Sequence, residues 1–385
     1  MSSPKIERLM ILMAQKQASD LYLSADAPIM LRLDGNIVPV NSEQKLTAGE
    51  IYEQLKSVLS QDAMETLETT YELNTGIHRE DVGNFRFSCF QQRGSFSVVI
   101  RFIPLEIPQF DSLNLPPHLA DIALVKRGLV LFVGSTGSGK STSIASLLDL
   151  RNSHMPGHIL TIEDPIEYSF TNKCCIINQR EVGKDTLSLD IALRNALRQM
   201  PDCIFIGEIR DANAMSSALA YAQSGHLCVS TLHANNSYEA LNRILSFYAE
   251  DTRSALLGDL ASALKVIVSQ RLVQSTSGLL HPAVEILENT RLIGELISKG
   301  DLYSVRDAME KSLTEGSQTF EDDLARMVHE GIITKSEALS YADSPSNLMW
   351  RLQNAPKSSL TSQPRSPAAN TDVDDEPTFA NIELK

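Results

Sequence analysis

Residues 134–141 read GSTGSGKS, a full match to the phosphate-binding pattern G-x-x-x-x-G-K-S. The apolar run GLVLFV just before it reads as a strand and the segment after it as a helix, the setting this motif requires. Gly134, Gly137 and Gly139, with Ser135, Thr136 and Ser138 between them, let backbone N–H groups curl around a row of phosphates. The helix that starts at Lys140 adds the positive end of its dipole. Lys140 is suited to reach the β and γ phosphates, and the Ser141 hydroxyl to ligate Mg²⁺, with Thr142 next in the same turn. The chemistry on offer is binding of ATP with Mg²⁺.

A phosphate loop also needs carboxylates at neighbouring strand ends to hold the metal or orient a water. DCIFIGEIRD supplies one: Cys203–Ile206 forms a strand, and Glu208 follows Gly207 where an acidic pair is common. TIEDPIEYSF supplies a second group, with Glu163, Asp164 and Glu167 crowded around Pro165. Three carboxylates so close repel one another unless a cation or hydrogen-bond donors face them. Beside a phosphate loop, their expected work is to orient the attacking water. His226 and His233 bracket the apolar run LCVSTL seven residues apart, which puts them on opposite faces of an extended segment. One is then free to look at the nucleotide while the other touches a neighbouring element. Arg86 in NFRFS and Arg101 in VVIRFIP lie on two further strands. In a ring, such residues reach a phosphate across a subunit boundary, as arginine fingers do.

The elements that must position these groups fall into two units. In KIERLMILMAQ, Ile6, Leu9, Met10 and Met13 share one helical face. IMLRLDGNIVPV alternates around Asp34-Gly35 as a hairpin does. Thr47 and Glu50 form a capping box for a helix that carries Ile51, Leu55, Val58 and Leu59. NFRFSCF and SFSVVIRFI read as paired strands, so 1–103 is a small α+β domain. Pro104, Pro108, Pro116 and Pro117 mark 104–125 as a linker. From 126 to 354, short apolar runs alternate with helical stretches, the pattern of buried parallel strands with crossover helices, and the chain turns helical after LHPAVEIL. Ser, Pro and acidic residues mark 355–385 as a disordered tail.

Composition narrows the function. The 385 residues are 43% hydrophobic and 21% charged, with no apolar run long enough to span a bilayer and no signal-peptide layout, so the expectation is a cytosolic protein without direct membrane insertion. Five cysteines at unpaired spacings point to neither a disulfide framework nor zinc. A net charge of −14 argues against nucleic acid as a general partner.

Taken in order, the phosphate loop, TIEDPIE, the Gly-Glu strand end and GHL…STLH resemble the GspE/PilT family of type II secretion and type IV pilus motor ATPases, over roughly residues 5–345. The resemblance implies an α/β fold: an N-terminal PAS-like α+β domain joined to a RecA-like P-loop ATPase domain with a helical C-terminal end, assembled as a homo-hexameric ring. The family's secretion and extension members carry a four-cysteine zinc module that is lacking here, which fits the retraction branch. ALRQMPDCIFIGEIRD, NTRLIGELI at 289–297 and ADSPSNLMWRL at 342–352 are similar to the PilU-type members. By position, Lys140 and Ser141 then bind the triphosphate and Mg²⁺, Glu208 holds the metal's water shell, and Glu167 is the preferred general base with Glu163 its rival. His226 and His233 sense nucleotide state, and Arg86 and Arg101 are the arginine fingers. The implied partners are a PilT-type retraction ATPase and an inner-membrane platform protein of the PilC type. The protein would be cytoplasmic and peripheral at the inner membrane, and the function would be ATP-driven pilus retraction in twitching motility. Two other readings stay open: a conjugation or DNA-transport ATPase on the same core, against which TIEDPIE and the acidic charge weigh, and a non-motor partner that stabilises a PilT-type ring. A small-molecule kinase would need a second substrate motif, and none is present.

Overall fold

The computed structural model describes residues 6–33, 36–42, 45–80, 82–104, 106–311 and 316–354. The Asp34-Gly35 turn and the 355–385 stretch lie outside the described residues.

The first unit is built on β1 (Asp20–Leu23), β2 (Met30–Leu33), β3 (Asn36–Pro39), β4 (Glu72–Arg79), β5 (Gly83–Gln92) and β6 (Ser95–Ile103). They form a six-stranded sheet in the order β3-β2-β1-β6-β5-β4, antiparallel at every pairing. The helix Ile6–Lys16 buries its predicted face of Ile6, Leu9, Met10 and Met13 against this sheet. Thr47 and Glu50 do form the capping box of the helix Ala48–Lys56, but that helix ends before Val58 and Leu59. Those two residues pack at the margin of the core from the turn beyond.

Side-chain alternation gives the sheet two different faces. On β5, Phe85, Phe87 and Cys89 enter the core; on β6, Val98 and Ile100 do so. Arg86 and Arg101 are left on the opposite face, directly across from each other, and Asp20 of β1 stands opposite Arg101 on the other side. An acid and two bases thus make one row across three strands.

The second unit contains β7 (Gly128–Val133), β8 (Gly157–Glu163), β9 (Cys175–Glu181), β10 (Cys203–Ile206), β11 (Leu227–Leu232), β12 (Leu264–Gln274) and β13 (Leu280–Glu288). Their order is β13-β12-β7-β11-β10-β8-β9, parallel throughout except for β13 at one edge. This is the RecA-like arrangement expected. β7 is buried on both faces: Leu129, Leu131 and Val133 pack toward the helices Leu189–Ala196 and Ala212–Gln223, and Val130 and Phe132 toward the helix Lys140–His154. That explains why the strands read as solid apolar runs. Among the described residues, five helices between Arg291 and Asn354 close the C-terminal end.

The proline-rich stretch expected as a linker is largely part of the second unit. Phe110, Leu115, Leu119, Ile122 and Ala123 join the core beneath β7 and the helix Lys140–His154, and Arg151 donates to the carbonyls of Ala123 and Val125 at 3.0 and 2.9 Å. The prolines interrupt regular structure there without freeing the chain, because apolar side chains between them anchor it. Four of the five cysteines are buried and Cys174 is exposed; all are free thiols. Among the described residues no helix is long and apolar enough to cross a membrane.

Candidate active site

Parallel strands deliver their C-terminal ends to one edge of the sheet, and ligand sites gather there. β7 leads into Gly134, β8 ends at Glu163, β10 leads into Gly207-Glu208 and β11 into His233. Above that edge lies a cavity of about 610 Å³. Thr136, Gly137, Gly139, Lys140, Ser141 and Thr142 form its floor, and Glu163, Asp164, Glu167, Glu208, Arg210 and His233 one wall. Asp20, Arg86 and Arg101 of the first sheet form the facing wall.

The loop is shaped as a phosphate cradle. Gly134 has φ 151°, and a Cβ there would stand 2.5 Å from the Gln270 carbonyl; Gly139 has φ 87°, with Gln270 Nε2 at 2.7 Å from its missing Cβ. Only glycine fits either position. Lys140 Nζ donates to the carbonyls of Gly134 and Ser135, each at 2.8 Å, so the ammonium sits inside the loop's curve. Burial lowers its pKa, while Glu208 and Glu167 pull it back up. Ser138 Oγ is buried with no hydrogen-bond partner among the described residues. A glycine cradle with an ammonium inside and an unsatisfied hydroxyl beneath fits a polyphosphate anion.

The donor set also fits Mg²⁺. Ser141 and Glu208 line the same cavity, and among the described residues no group of three or more metal-ligating side chains makes an all-protein cage. Mg²⁺ is held by one or two protein oxygens together with substrate phosphates, so this sparse set is what it requires. Glu208 is already engaged: Arg210 Nε stands 2.6 Å from its Oε2 and His233 Nε2 3.2 Å from its Oε1. Arg210 also reaches Asp164 at 3.5 Å, and the Glu208 carboxylate raises the guanidinium's pKa.

Glu163 and Glu167 differ sharply in setting. Glu163 is buried at the end of β8, where burial pushes its carboxyl up to about 7. Donation from Thr161 Oγ1 at 2.7 Å, from Gln179 Nε2 at 3.3 Å and from the Glu167 backbone opposes that rise. Glu167 is carried by the loop that follows, next to Tyr168, whose hydroxyl lies 3.0 Å from Thr142 Oγ1 on the phosphate-loop helix.

Two expectations need correction. His226 does not reach the cavity: β11 runs from Leu227 to Leu232, so His226 stands at its N-terminal end and His233 at the other, about 20 Å apart. The His226 ring instead touches Ser224 Oγ and the Tyr221 carbonyl, at 3.1 and 3.3 Å. Strand direction, which parity of spacing ignores, decides this. Secondly, Arg86 and Arg101 face the phosphate loop of their own chain, so no subunit boundary is needed to bring them there. Arg101 Nε is held by Asp20 Oδ1 at 3.0 Å, and Arg86 has no hydrogen-bond or ion-pair partner among the described residues.

The sequence reading missed Arg210, Tyr168, Gln179, Gln270 and Asp20. Arg210 and Tyr168 stand two residues after Glu208 and one after Glu167, so their neighbours were the available signal. Gln179 and Gln270 lie on β9 and β12, whose pairing partners are distant in sequence and leave no local mark.

A parallel sheet that ends in a phosphate loop, flanked by strand-end carboxylates and a histidine, defines a RecA-like P-loop ATPase. Residues 3–331 match the family model described as "Type II/IV secretion system protein". The type IV pilus ATPase PilU of Pseudomonas aeruginosa is 42% identical over 89% of this chain and 90% of its own length. The type IV pilus retraction ATPase PilT of the same organism is 35% identical over 89% of this chain and 99% of its own. Among solved structures, the pilus retraction motor PilT with bound ADP matches at TM-score 0.82 and 37% identity, over 90% of this chain and 100% of that one. The chain belongs to the GspE/PilT family of type II/IV secretion and pilus ATPases, and it is PilU-like.

Proposed function

We propose that the chain is an ATP-hydrolysing motor subunit of a type IV pilus machine that promotes pilus retraction, working in a homo-hexamer beside a PilT-type ATPase. The observation that carries this is the meeting, in one cavity, of the phosphate loop, the strand-end carboxylates and two arginines from the first sheet. The platform protein of the inner membrane would take up the motion, which keeps the ring at the membrane's cytoplasmic face.

In the reaction, a water oxygen bonds to the γ-phosphorus, the bridging oxygen leaves with ADP, and the water's proton passes to a carboxylate. Supporting Glu163 over Glu167 as that base is its confined position and its elevated pKa, since a base poised near working pH transfers protons best. Ser141 and Glu208 are the residues that would hold Mg²⁺, which when bound would neutralise charge on the phosphates. Lys140 balances the same charge from the loop. Arg86 and Arg101 present up to nine N–H donors from the facing wall beyond the Nε–H that Asp20 holds, suited to charge that develops as the phosphoryl group transfers. Release of phosphate removes the anion those arginines would hold, and the first unit is then free to swing.

The test is made in cells. In a deletion strain that keeps its PilT-type neighbour, the parent gene should restore retraction force and twitching, and Lys140→Ala should not, while the variant ring still assembles. Restoration by Lys140→Ala would favour the non-motor partner reading.

A further inference from the structure

The loop that carries Glu167 and Tyr168 leaves β8 and must be held over the phosphate loop by something outside itself. β9, the edge strand beside β8, does this with two inward side chains. Glu181 Oε2 accepts the Ile166 N–H at 3.2 Å. Gln179 makes three contacts: its Oε1 accepts the Phe170 N–H at 2.8 Å, and its Nε2 donates to the Tyr168 carbonyl at 2.7 Å and to Glu163 Oε1 at 3.3 Å. Tyr168 in turn meets Thr142 in the first turn after the phosphate loop. One amide therefore ties the buried carboxylate, the loop above it and the phosphate-loop helix into a single chain of hydrogen bonds. A glutamine suits the post because its amide offers an acceptor and two donors on one rigid plane.

We infer that Gln179 is a positioning residue for hydrolysis, which aims the Glu163 carboxylate at the cavity and holds the 164–170 loop in register with the phosphate loop. The inference rests on Glu163 as the base. The charged groups that face Glu163 are Glu167 and Asp164 on the loop, Glu181 beside it on β9, Glu208 and Arg210 beyond β10, His233 after β11, Lys140 on the floor, and Asp20, Arg86 and Arg101 on the facing wall. Tyr168, which titrates far higher, lines the same cavity. None of these would change in a Gln179 variant, so a shifted pH profile reports the lost amide. The Nε2 donation favours the ionised carboxylate, so its loss must raise the pH at which Glu163 ionises.

The test uses the full-length parent, Gln179→Met, which removes all three contacts, and Gln179→Asn, a neutral amide one methylene too short to keep the donation to Glu163. kcat/KM for ATP is measured from pH 5.5 to 9, with ADP affinity by calorimetry. In both variants the acid limb should move up by about one pH unit, with roughly fivefold loss at pH 7, approaching about 10-fold at pH 5.5, and recovery to within about twofold of the parent at pH 9. ADP affinity should stay within about threefold, since the amide touches no predicted nucleotide contact. A loss that is uniform across pH, or an unmoved limb, overturns the inference. If Gln179→Met does not fold, Gln179→Asn alone decides, by the same limb. A Glu163→Gln control separates the two levels: if it keeps its turnover, the base assignment has failed; if it is inactive and the Gln179 variants keep the parent profile, only the positioning role has failed.

Discussion

The two walls of the cavity are built in opposite ways. On the strand-end wall, two carboxylates are held several times over: Glu208 between Arg210 and His233, and Glu163 by Thr161, Gln179 and the Glu167 backbone. On the facing wall, Arg101 leans on Asp20, and Arg86 has no partner among the described residues. Two like charges directly opposite on neighbouring strands disfavour each other unless an anion lies between or above them. Between the units, Lys184 Nζ reaches the Gly76 carbonyl at 2.7 Å, and Asn84 Nδ2 donates to Ser169 Oγ at 3.3 Å. The difference teaches where rigidity and motion belong. The wall that handles water and metal is fixed in advance, and the wall that senses the phosphates is mounted on a lightly tethered unit.

Breaking the rigid wall should cost the most. Lys140→Ala removes the charge at the loop's centre, and ATP turnover should fall by about 10³-fold in a steady-state phosphate-release assay. Glu163→Gln should follow, at roughly 10²- to 10³-fold in kcat, against less than about 10-fold for Glu167→Gln. Equal losses in the two glutamine variants would erase the contrast between them.

Glu163 also gives the rigid wall a pH signature. Its carboxyl lies near 7 in the folded chain, well above its ordinary 4.5, so its contribution to stability is fully present below about 4.5 and lost as pH rises through 7. Above that, the buried charge costs ~3 kcal/mol at most. Thermal melts should therefore show Glu163→Gln more stable than the parent at pH 8 and unchanged at pH 4.5, while the parent's kcat/KM falls below pH 7 as the base takes up a proton. The smallest effect is expected from the tether: Lys184→Ala should change kcat by only about two- to threefold, since its exposed contact with the Gly76 carbonyl and its half-exposed pair with Glu181 are each weak.

The rigid wall was far more legible in the sequence than the facing one. Its floor is a contiguous eight-residue motif, and Glu163, Glu208 and His233 each end a solid apolar run, so local pattern found them. The parallel strands showed themselves for the same reason, because burial on both faces leaves no polar interruption. β9 did not, because its burial alternates irregularly and its work is done by polar side chains aimed at a loop. Arg86 and Arg101 were visible as charges on strands, yet only pairing of β1, β5 and β6 reveals that Asp20 shares their row. His226 shows the converse limit: a correct strand and a correct spacing still misplace a side chain when the direction of the strand is left out.

The central claim is that arginines of the first unit complete the site for phosphoryl transfer. Pre-steady-state hydrolysis of ATP by the Arg86→Ala/Arg101→Ala double variant, with ADP affinity measured beside it, tests this most directly. The account predicts that the chemical step slows by about 10²-fold or more while ADP binds within about threefold of the parent. Hydrolysis at the parent rate would contradict it.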